Sequence, residues 1–277
     1  MKKNIFKWLS IFVMAVVCVG FASCGDDDED VNPGGGSGGS DSGVEGKFQG
    51  PKRVFGNNLL KSYGTSSSLT ELTYNSDDFV TKIKRGSYEY EVSYSDNQVI
   101  VTRPMSTYSR QYIFTIGSNG FAESYTSSKV GGGGNRDVVK FEYDSEGHLI
   151  KITATEDDDR PWIGTFTWQD GNLIKANDND SWSYKSQSYT YGSINNIAGL
   201  FVVPKTSGDI GDFYEEIFHY IGLLGKGTRN LVKSYSRESR SGENAWTLDG
   251  AGRPIKCITT STSGSSNSSS TYVWNYR

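Results

Sequence analysis

Residues 140–155 read KFEYDSEGHLIKITAT, and this stretch decides the fold. Phe141 and Tyr143 alternate with polar residues, a polar turn follows, and Leu149 resumes the apolar pattern. Such alternation is typical of β-strands with one buried face. Gly147 supplies the positive φ that a tight turn needs. The stretch therefore predicts an antiparallel β-hairpin.

The same pattern recurs along the chain. Residues 166–176 (FTWQDGNLIKA) and 246–258 (WTLDGAGRPIKCI) each place aromatic or apolar residues before a polar turn and branched apolar residues after it. Weaker copies lie at 72–83, 92–101 and 114–124, and YVWNY at 272–276 resembles a final half-copy. Because the copies recur at similar intervals, each repeat is predicted to be one hairpin, and successive hairpins form a long meander.

One segment, residues 209–225, interrupts the repeat. Its apolar residues recur at the three- and four-residue spacing of a helix: Phe213, Ile217, Phe218, Ile221 and Leu224. Asp212 is the expected N-cap and Gly225 the expected stop. The predicted fold is mainly β: an antiparallel meander of hairpins, as a single twisted sheet or open barrel, with one helical insert near 209–225. This helix is expected to cover one face of the sheet.

The repeat also resembles a known family. The Tyr-Asp-x-x-Gly-x-Leu pattern in YDSEGHLIKI (143–152), with QDGNLIKA (169–176) and LDGAGRPIKC (248–257), is similar to the YD repeats of the RHS class. The chain looks like the Bacteroidetes surface lipoprotein families of unknown function that use such hairpins. The resemblance implies the hairpin architecture. It does not extend to the encapsulating shell of RHS proteins, because the chain is too short to close one.

The N-terminal residues have the organisation of a secretory signal. An apolar run at 5–21 follows the first basic residues, and small residues precede Cys24: Lys2, Lys3 and Lys7 form the basic region, and Ala22 and Ser23 the small pair. This order resembles a bacterial lipobox, whose cysteine is acylated. A membrane-spanning anchor is the alternative, but the run is short for the roughly 20 residues that a bilayer needs. We predict a signal peptide at 1–23 and lipidation at Cys24, not at Cys18 inside the apolar run.

An acidic run follows the cysteine directly: Asp26, Asp27, Asp28, Glu29 and Asp30. It resembles the surface-export signal of Bacteroidetes lipoproteins, and a solvated spacer is the simpler interpretation. Residues 32–44 (NPGGGSGGSDSGV) favour a flexible tether. The predicted organisation is lipidated cysteine, acidic run and tether at 24–45 and a β-meander domain at 46–277. The predicted location is the outer membrane, lipid-anchored and exposed at the cell surface.

Composition excludes one class of partner. The chain has 28 basic and 32 acidic residues, and loss of the signal removes three of the lysines. Such a chain lacks the basic excess of a nucleic-acid-binding protein, so no nucleic acid partner is expected. Of the three cysteines, only Cys257 lies in the predicted domain, so an intramolecular disulfide is not expected.

Catalytic and metal-binding patterns are weak. His148 and His219 have no cysteine partners nearby, and the acidic groups at 157–159 and 178–180 lack the spacing of a calcium loop. No Gly-x-Ser-x-Gly nucleophile elbow occurs in the predicted domain at 46–277, and Cys257 in PIKCI is expected to be a buried thiol. We therefore expect no metal, no cofactor and no enzymatic activity.

Aromatic residues are the best candidates for contact with a ligand. Most should be core, but Trp162 and Trp182 lie beside acidic loop sequences and are expected to be exposed, where they could stack on sugars or pack against peptides. The predicted function is a non-catalytic, outer-surface lipoprotein that binds an extracellular ligand, glycan or protein. A structural subunit of an outer-membrane complex is the alternative, and an enzyme acting on glycans or peptides is third.

Overall fold

The computed structural model of the chain describes residues 47–65, 67–131, 137–156, 161–179, 186–200, 215–238 and 240–277. The predicted signal peptide at 1–23 and the lipidated cysteine, acidic run and tether at 24–45 lie outside the described residues. The folded part is one unit of mostly β structure. The described residues all lie within the domain predicted at 46–277.

Sixteen strands and two short helices make up the described chain. The strands are β1 (Leu60–Thr65), β2 (Ser68–Tyr74), β3 (Val80–Arg85), β4 (Tyr88–Ser95), β5 (Gln98–Pro104), β6 (Ser109–Ile116), β7 (Ala122–Val130), β8 (Asp137–Tyr143), β9 (Leu149–Glu156), β10 (Trp162–Gln169), β11 (Asn172–Asp178), β12 (Ser186–Asn195), β13 (Asn230–Arg237), β14 (Arg240–Leu248), β15 (Pro254–Ser263) and β16 (Ser266–Tyr276). The helices are α1 (Lys52–Phe55) and α2 (Glu215–Tyr220). Each strand pairs antiparallel with its neighbours in sequence, so the predicted meander of hairpins is confirmed.

The meander closes on itself, which corrects the expectation of a single twisted sheet or an open barrel. Strand β1 pairs with β16, and Tyr63 lies opposite Trp274. A free edge would leave a row of backbone N–H and C=O groups unpaired, and closure satisfies them. The sequence repeat specifies each local hairpin, but it contains no signal for pairing between strands at opposite ends of the domain.

Each residue of the repeat has a defined role in its hairpin. Asp144 Oδ1 accepts hydrogen bonds from the backbone N–H of Glu146 at 2.9 Å and of His148 at 2.8 Å, which caps the turn. Gly147 has φ +88°, a conformation that glycine adopts without strain. Tyr143 lies just before the turn, and its hydroxyl donates to the carbonyl of Ala122 at 2.8 Å. The sequence motif therefore specifies one turn that is capped by an aspartate side chain.

The aromatic residue of the motif forms a ring of equivalent contacts around one end of the barrel. In seven of the eight even-numbered strands of the described chain, its polar tip donates to a carbonyl at the start of the preceding odd-numbered strand. The pairs are Tyr74 to Leu60, Tyr94 to Val80, Tyr143 to Ala122, Trp168 to Leu149, Tyr191 to Leu173, Trp246 to Val232 and Tyr276 to Pro254, at 2.6 to 2.8 Å. Strand β6 has Ile116 in this place. A buried tyrosine or tryptophan needs such a partner, and the ring defines what we term the capped end.

The N-terminal segment seals the capped end. Phe48 stacks on Tyr94 with ring centroids 5.5 Å apart, and Phe55 of α1 meets His219 edge-on at 5.2 Å. Both phenylalanines are buried. The chain therefore enters the barrel at the capped end, and the opposite end, which carries the turns that follow the odd-numbered strands, is termed the far end.

Helix α2 lies inside the barrel, not across an open face of a sheet as expected. The Phe218 ring contacts the rings of Tyr112, Phe114 and Tyr125 on β6 and β7, at centroid distances of 5.8, 4.5 and 5.5 Å. All four side chains are buried. A barrel of this many strands is too wide for its wall side chains to fill, so the helix completes the core. The predicted residues 209–214, with Asp212, lie outside the described residues.

The helix ends earlier than predicted. Gly222, not Gly225, is the stop: its N–H donates to the His219 carbonyl at 2.7 Å, and the Leu223 N–H donates to the Phe218 carbonyl at 3.0 Å. These two bonds form a Schellman motif, which requires a left-handed residue, and Gly222 has φ +89°. A Cβ at this position would also lie 2.8 Å from the carbonyl oxygen of Gly50. The glycine thus lets the end of α2 pack against Gly50 and Pro51 of the N-terminal segment.

His219 makes stability depend on pH. Burial lowers its pKa to about 4, although the Gly199 carbonyl, 2.9 Å from Nε2, opposes this by accepting a hydrogen bond. The folded state therefore keeps a neutral imidazole where the unfolded chain, with a pKa near the ordinary 6.5, takes up a proton. Stability should be full above about pH 6.5 and fall as the pH drops toward 4, by up to a few kcal/mol.

The test is urea unfolding of wild type and His219→Gln from neutral pH to about pH 4. The glutamine removes the titrating group while keeping an amide donor. The variant should be less stable at neutral pH and lose less stability on acidification. Equal losses in the two proteins would contradict this assignment.

Side chains of the wall alternate between the barrel interior and the outer surface. On β4, Tyr90 and Val92 are buried, whereas Glu89 and Glu91 are exposed. Lys82 on the adjacent strand pairs with Glu89 at 2.6 Å on the outer surface. Exposed charged residues occupy outward positions on several other strands as well: Glu71, Lys84, Lys140, Glu142, Lys175 and Glu243. The described strands thus combine an apolar interior with an outer surface on which charged residues alternate with apolar ones such as Ile100, Ile113 and Ile258.

Candidate functional site

The residues predicted to carry function fall in different places. Cys24, the acidic run Asp26 to Asp30 and Trp182 lie outside the described residues. Trp162, expected to be exposed, is half-buried on β10 and faces the interior near the far end. Its ring covers Gly164, where a Cβ would lie 2.6 Å from the indole. The Trp162 indole N–H is buried and has no hydrogen-bond partner among the described residues.

The far end carries a row of inward-facing cations that the sequence analysis did not single out. Arg103 on β5 lies directly opposite Arg110 on β6, and Arg110 lies directly opposite Lys129 on β7. Arg85 on β3 lies opposite Tyr88 on β4. These positions continue the same parity as the buried core residues of their strands. We term Arg85, Arg103, Arg110 and Lys129 the basic wall.

Arg103 is the most buried member of the basic wall. Its side chain is 6% exposed, and its guanidinium lies 3.9 Å above the ring of Tyr88 and 5.9 Å from that of Tyr90. Its Nε is buried and has no hydrogen-bond partner among the described residues. The two tyrosine rings hold the cation in place through cation–π contact.

Arg110 differs from Arg103 in having a carboxylate beside it. Asp137 on β8 lies 3.4 Å from the Arg110 guanidinium and also accepts a hydrogen bond from Ser127 at 2.5 Å. Across the barrel, Arg237 and Arg240 face each other at the β13–β14 hairpin, again on inward positions at the far end. Guanidinium groups in a sheltered interior are suited to binding carboxylate, sulfate or phosphate.

The rim of the far end also exposes apolar surface beside the basic wall. The side chains of Tyr88, Met105 and Val130 are 51%, 38% and 50% exposed. They belong to β4, the β5–β6 turn and β7, the same sector of the barrel as Arg103. An aromatic and apolar rim next to buried cations is the usual composition of a contact surface for an amphipathic ligand.

A cleft lies at the capped end. This cleft of about 410 Å³ is lined by Asp144, His148, Trp168 and Arg229, among others. His148 stacks on Trp168 at 4.3 Å, and its Nδ1 lies 3.0 Å from Asp144 Oδ2. Partial burial raises the pKa of Asp144, but hydrogen bonds from His148 and Glu146 outweigh it and hold the pKa below the ordinary value.

The same pairing recurs in another hairpin, which identifies it as part of the turn. Asp249 Oδ1 accepts the backbone N–H of Ala251 and Arg253, and Arg253 Nε donates to Asp249 Oδ2 at 2.8 Å. Arg253 therefore occupies the place of His148, four residues after the capping acid. The polar groups of the cleft are explained by turn geometry, so we favour the far end as the candidate site.

The remaining candidates for chemistry are potential metal ligands and the one cysteine of the described chain, Cys257. The described residues contain no group of three or more His, Cys, Asp or Glu side chains that could hold a metal ion. Cys257 is buried, as expected, and burial raises the pKa of its thiol to about 11. Such a thiol is protonated at neutral pH and is a poor nucleophile.

The sequence of this chain matches a known protein family. The family model of a domain of unknown function with porin-like fold, DUF4595, matches residues 62–256. The chain belongs to the DUF4595 family. No curated protein matches it.

Solved structures of two porin-like proteins share the fold of this DUF4595 member. One, from Bacteroides uniformis, has 18% sequence identity and a TM-score of 0.61, and covers 81% of this chain and 99% of its own. The other, from Bacteroides vulgatus, has 16% identity and a TM-score of 0.50, and covers 79% of this chain and 99% of its own. The barrel fold is compatible with a location at the outer membrane.

The two helices of the described chain are short. Neither α1 nor α2, the helices of the described chain, has the length and apolar character needed to cross a membrane.

Proposed function

We propose that this DUF4595 protein is a non-catalytic, outer-surface lipoprotein that binds an extracellular ligand, a glycan or a protein, at the far end of its barrel. The observation that carries the proposal is the difference between the two ends. The capped end is sealed by aromatic rings and by the entering chain. The far end gathers inward-facing cations, Trp162 and an exposed apolar rim.

The outer surface of the barrel supports attachment through a tether. A barrel that spans a membrane turns apolar side chains outward, and a Lys or Arg at the bilayer midplane costs about 2 to 4 kcal/mol. Here Lys84, Glu89 and Glu91 face outward from β3 and β4, while Tyr90 and Val92 face inward. Charges at these outward positions are unfavourable in a bilayer, which supports Cys24 as the proposed point of membrane attachment.

The proposed location can be tested on intact cells. A lipid-anchored barrel at the cell surface is open to protease from outside. Protease added to intact cells should then remove the barrel, and a barrel that survives would place it on the periplasmic side.

The alternative, a structural subunit of an outer-membrane complex, gains less support. An assembly subunit typically presents a bare strand edge or a flat apolar face. Strands β1 and β16 pair with each other, so the described sheet has no unpaired edge. The exposed apolar rim at Tyr88, Met105 and Val130 is small and lies beside cations, which suits a ligand better than a flat docking face.

Binding can be tested on an array of glycans and surface proteins. Wild type should give signal on at least one class, and Tyr88→Ala and Trp162→Ala should each weaken it about tenfold, because central aromatic contacts contribute more than about 1 kcal/mol. Lys140→Ala, an outward position on β8, is the control and should bind as wild type does. Trp182→Ala tests the remaining predicted residue. A wild type that binds nothing would favour the assembly role.

A further inference from the structure

Arg103 is a buried cation whose donors the described chain leaves partly unsatisfied. Its side chain is 6% exposed, and its Nε has no hydrogen-bond partner among the described residues. Buried guanidinium groups normally have their N–H donors paired, because an unpaired buried donor costs free energy. The tyrosine rings of Tyr88 and Tyr90 stabilise the charge from one side but accept no conventional hydrogen bond.

The residues beside Arg103 are also cationic. Arg110 lies directly opposite it, and Lys129 directly opposite Arg110, so like charges occupy adjacent inward positions on three strands. Like charges at such spacing repel, more so when sheltered from water. Asp137 lies beside Arg110 at the other side of this row from Arg103. An anion placed against the Arg103 guanidinium would lower this repulsion.

Resting on the proposed function, we infer that the basic wall is an anion-binding site and that the ligand is an acidic glycan whose carboxylate or sulfate group is held by Arg103. Guanidinium binds such planar or tetrahedral oxyanions through paired N–H···O bonds. The 51% exposed ring of Tyr88 lies next to the guanidinium and offers a face on which a sugar ring stacks. The two groups together recognise a charged sugar.

General electrostatic attraction does not account for such binding. The chain carries a formal net charge of −4, and outward positions of β2 and β4 carry Glu71, Glu89 and Glu91. The net charge of the molecule repels a polyanion, whereas the inward cations at the far end attract it. Binding therefore depends on a few inward cations, and loss of one of them has a large effect.

Three polymers with one backbone test the inference: dextran, carboxymethyl dextran and dextran sulfate. Binding of each to the purified full-length lipoprotein in detergent is measured for wild type, Arg103→Met, Arg103→Lys and Lys84→Met. Lys84 is the matched control, because it carries the same charge but faces outward on β3. The two charged polymers distinguish carboxylate from sulfate, and competition by inorganic sulfate or phosphate distinguishes a lone anion from a charged sugar.

Wild type should bind at least one charged polymer and not dextran. Arg103→Met should bind about 10- to 100-fold more weakly, as expected for loss of a charged hydrogen-bond donor. Arg103→Lys should fall between the two, and Lys84→Met should match wild type. If Arg103→Met fails to fold in thermal unfolding, the comparison of Arg103→Lys with Lys84→Met carries the test.

Two outcomes would overturn the inference. Equal weakening by the Arg103 and Lys84 variants would assign binding to diffuse charge, and equal binding of dextran and its charged forms would remove the role of the anion. Either result leaves the proposed function standing if Tyr88→Ala still weakens binding on the array. A wild type that binds neither the array nor any dextran overturns both.

Discussion

Replacing Phe218 with alanine is expected to lower the free energy of unfolding by about 3 to 5 kcal/mol. Phe218 is 1% exposed inside the barrel, and its ring lies 4.5 Å from that of Phe114 and 5.5 Å from that of Tyr125. The cavity left by alanine is bounded by strands that are fixed by barrel closure, so they cannot collapse to fill it. Urea unfolding followed by tryptophan fluorescence measures the change.

Ile258→Ala is the control for this prediction. Ile258 is 37% exposed and faces outward from β15. Its truncation removes few buried contacts and should cost less than about 1 kcal/mol. Equal losses for the two variants would mean that the helix inside the barrel contributes little to stability, which would contradict the description of α2 as core.

The hairpins could be predicted from the sequence because their determinants are local. Asp144, Gly147 and Leu149 act within one turn, and the period-two alternation of the strands follows from burial of one face. Closure could not be predicted, because it depends on pairing between Tyr63 and Trp274, which lie near opposite ends of the domain sequence. The position of the helix followed from closure, since only a closed barrel has an interior for Phe218 to fill.

The candidate site was missed for a different reason. An aromatic residue near an acidic loop indicates exposure, but Trp162, which has such a neighbourhood in sequence, faces inward at the far end. The informative signal is the alternation along β5. Val99 and Val101 face the core, and Arg103 continues the same two-residue period, so a cation takes a core-facing position. Polar residues that continue an apolar parity deserve the same weight as exposed aromatics in such repeats.

The largest change in location is expected when the lipid is withheld. Replacing residues 1–24 with a secretory signal that is cleaved without acylation should move nearly all of the barrel from the membrane fraction to the soluble periplasmic fraction. The physical reason lies in the charged residues on outward positions of the strands, such as Lys84 and Glu89, which are unfavourable in contact with lipid. Wild type, processed at Cys24, is the control and should stay with the outer membrane.

The share of lipid-free chain in each fraction distinguishes a tethered barrel from an inserted one, because the two give opposite results. For a tethered barrel, the lipid-free chain should be soluble and unfold cooperatively in urea, with its far end available to ligand. A lipid-free chain that stays in the membrane fraction after washing at high salt would contradict it, since the barrel itself would then be the membrane-bound part.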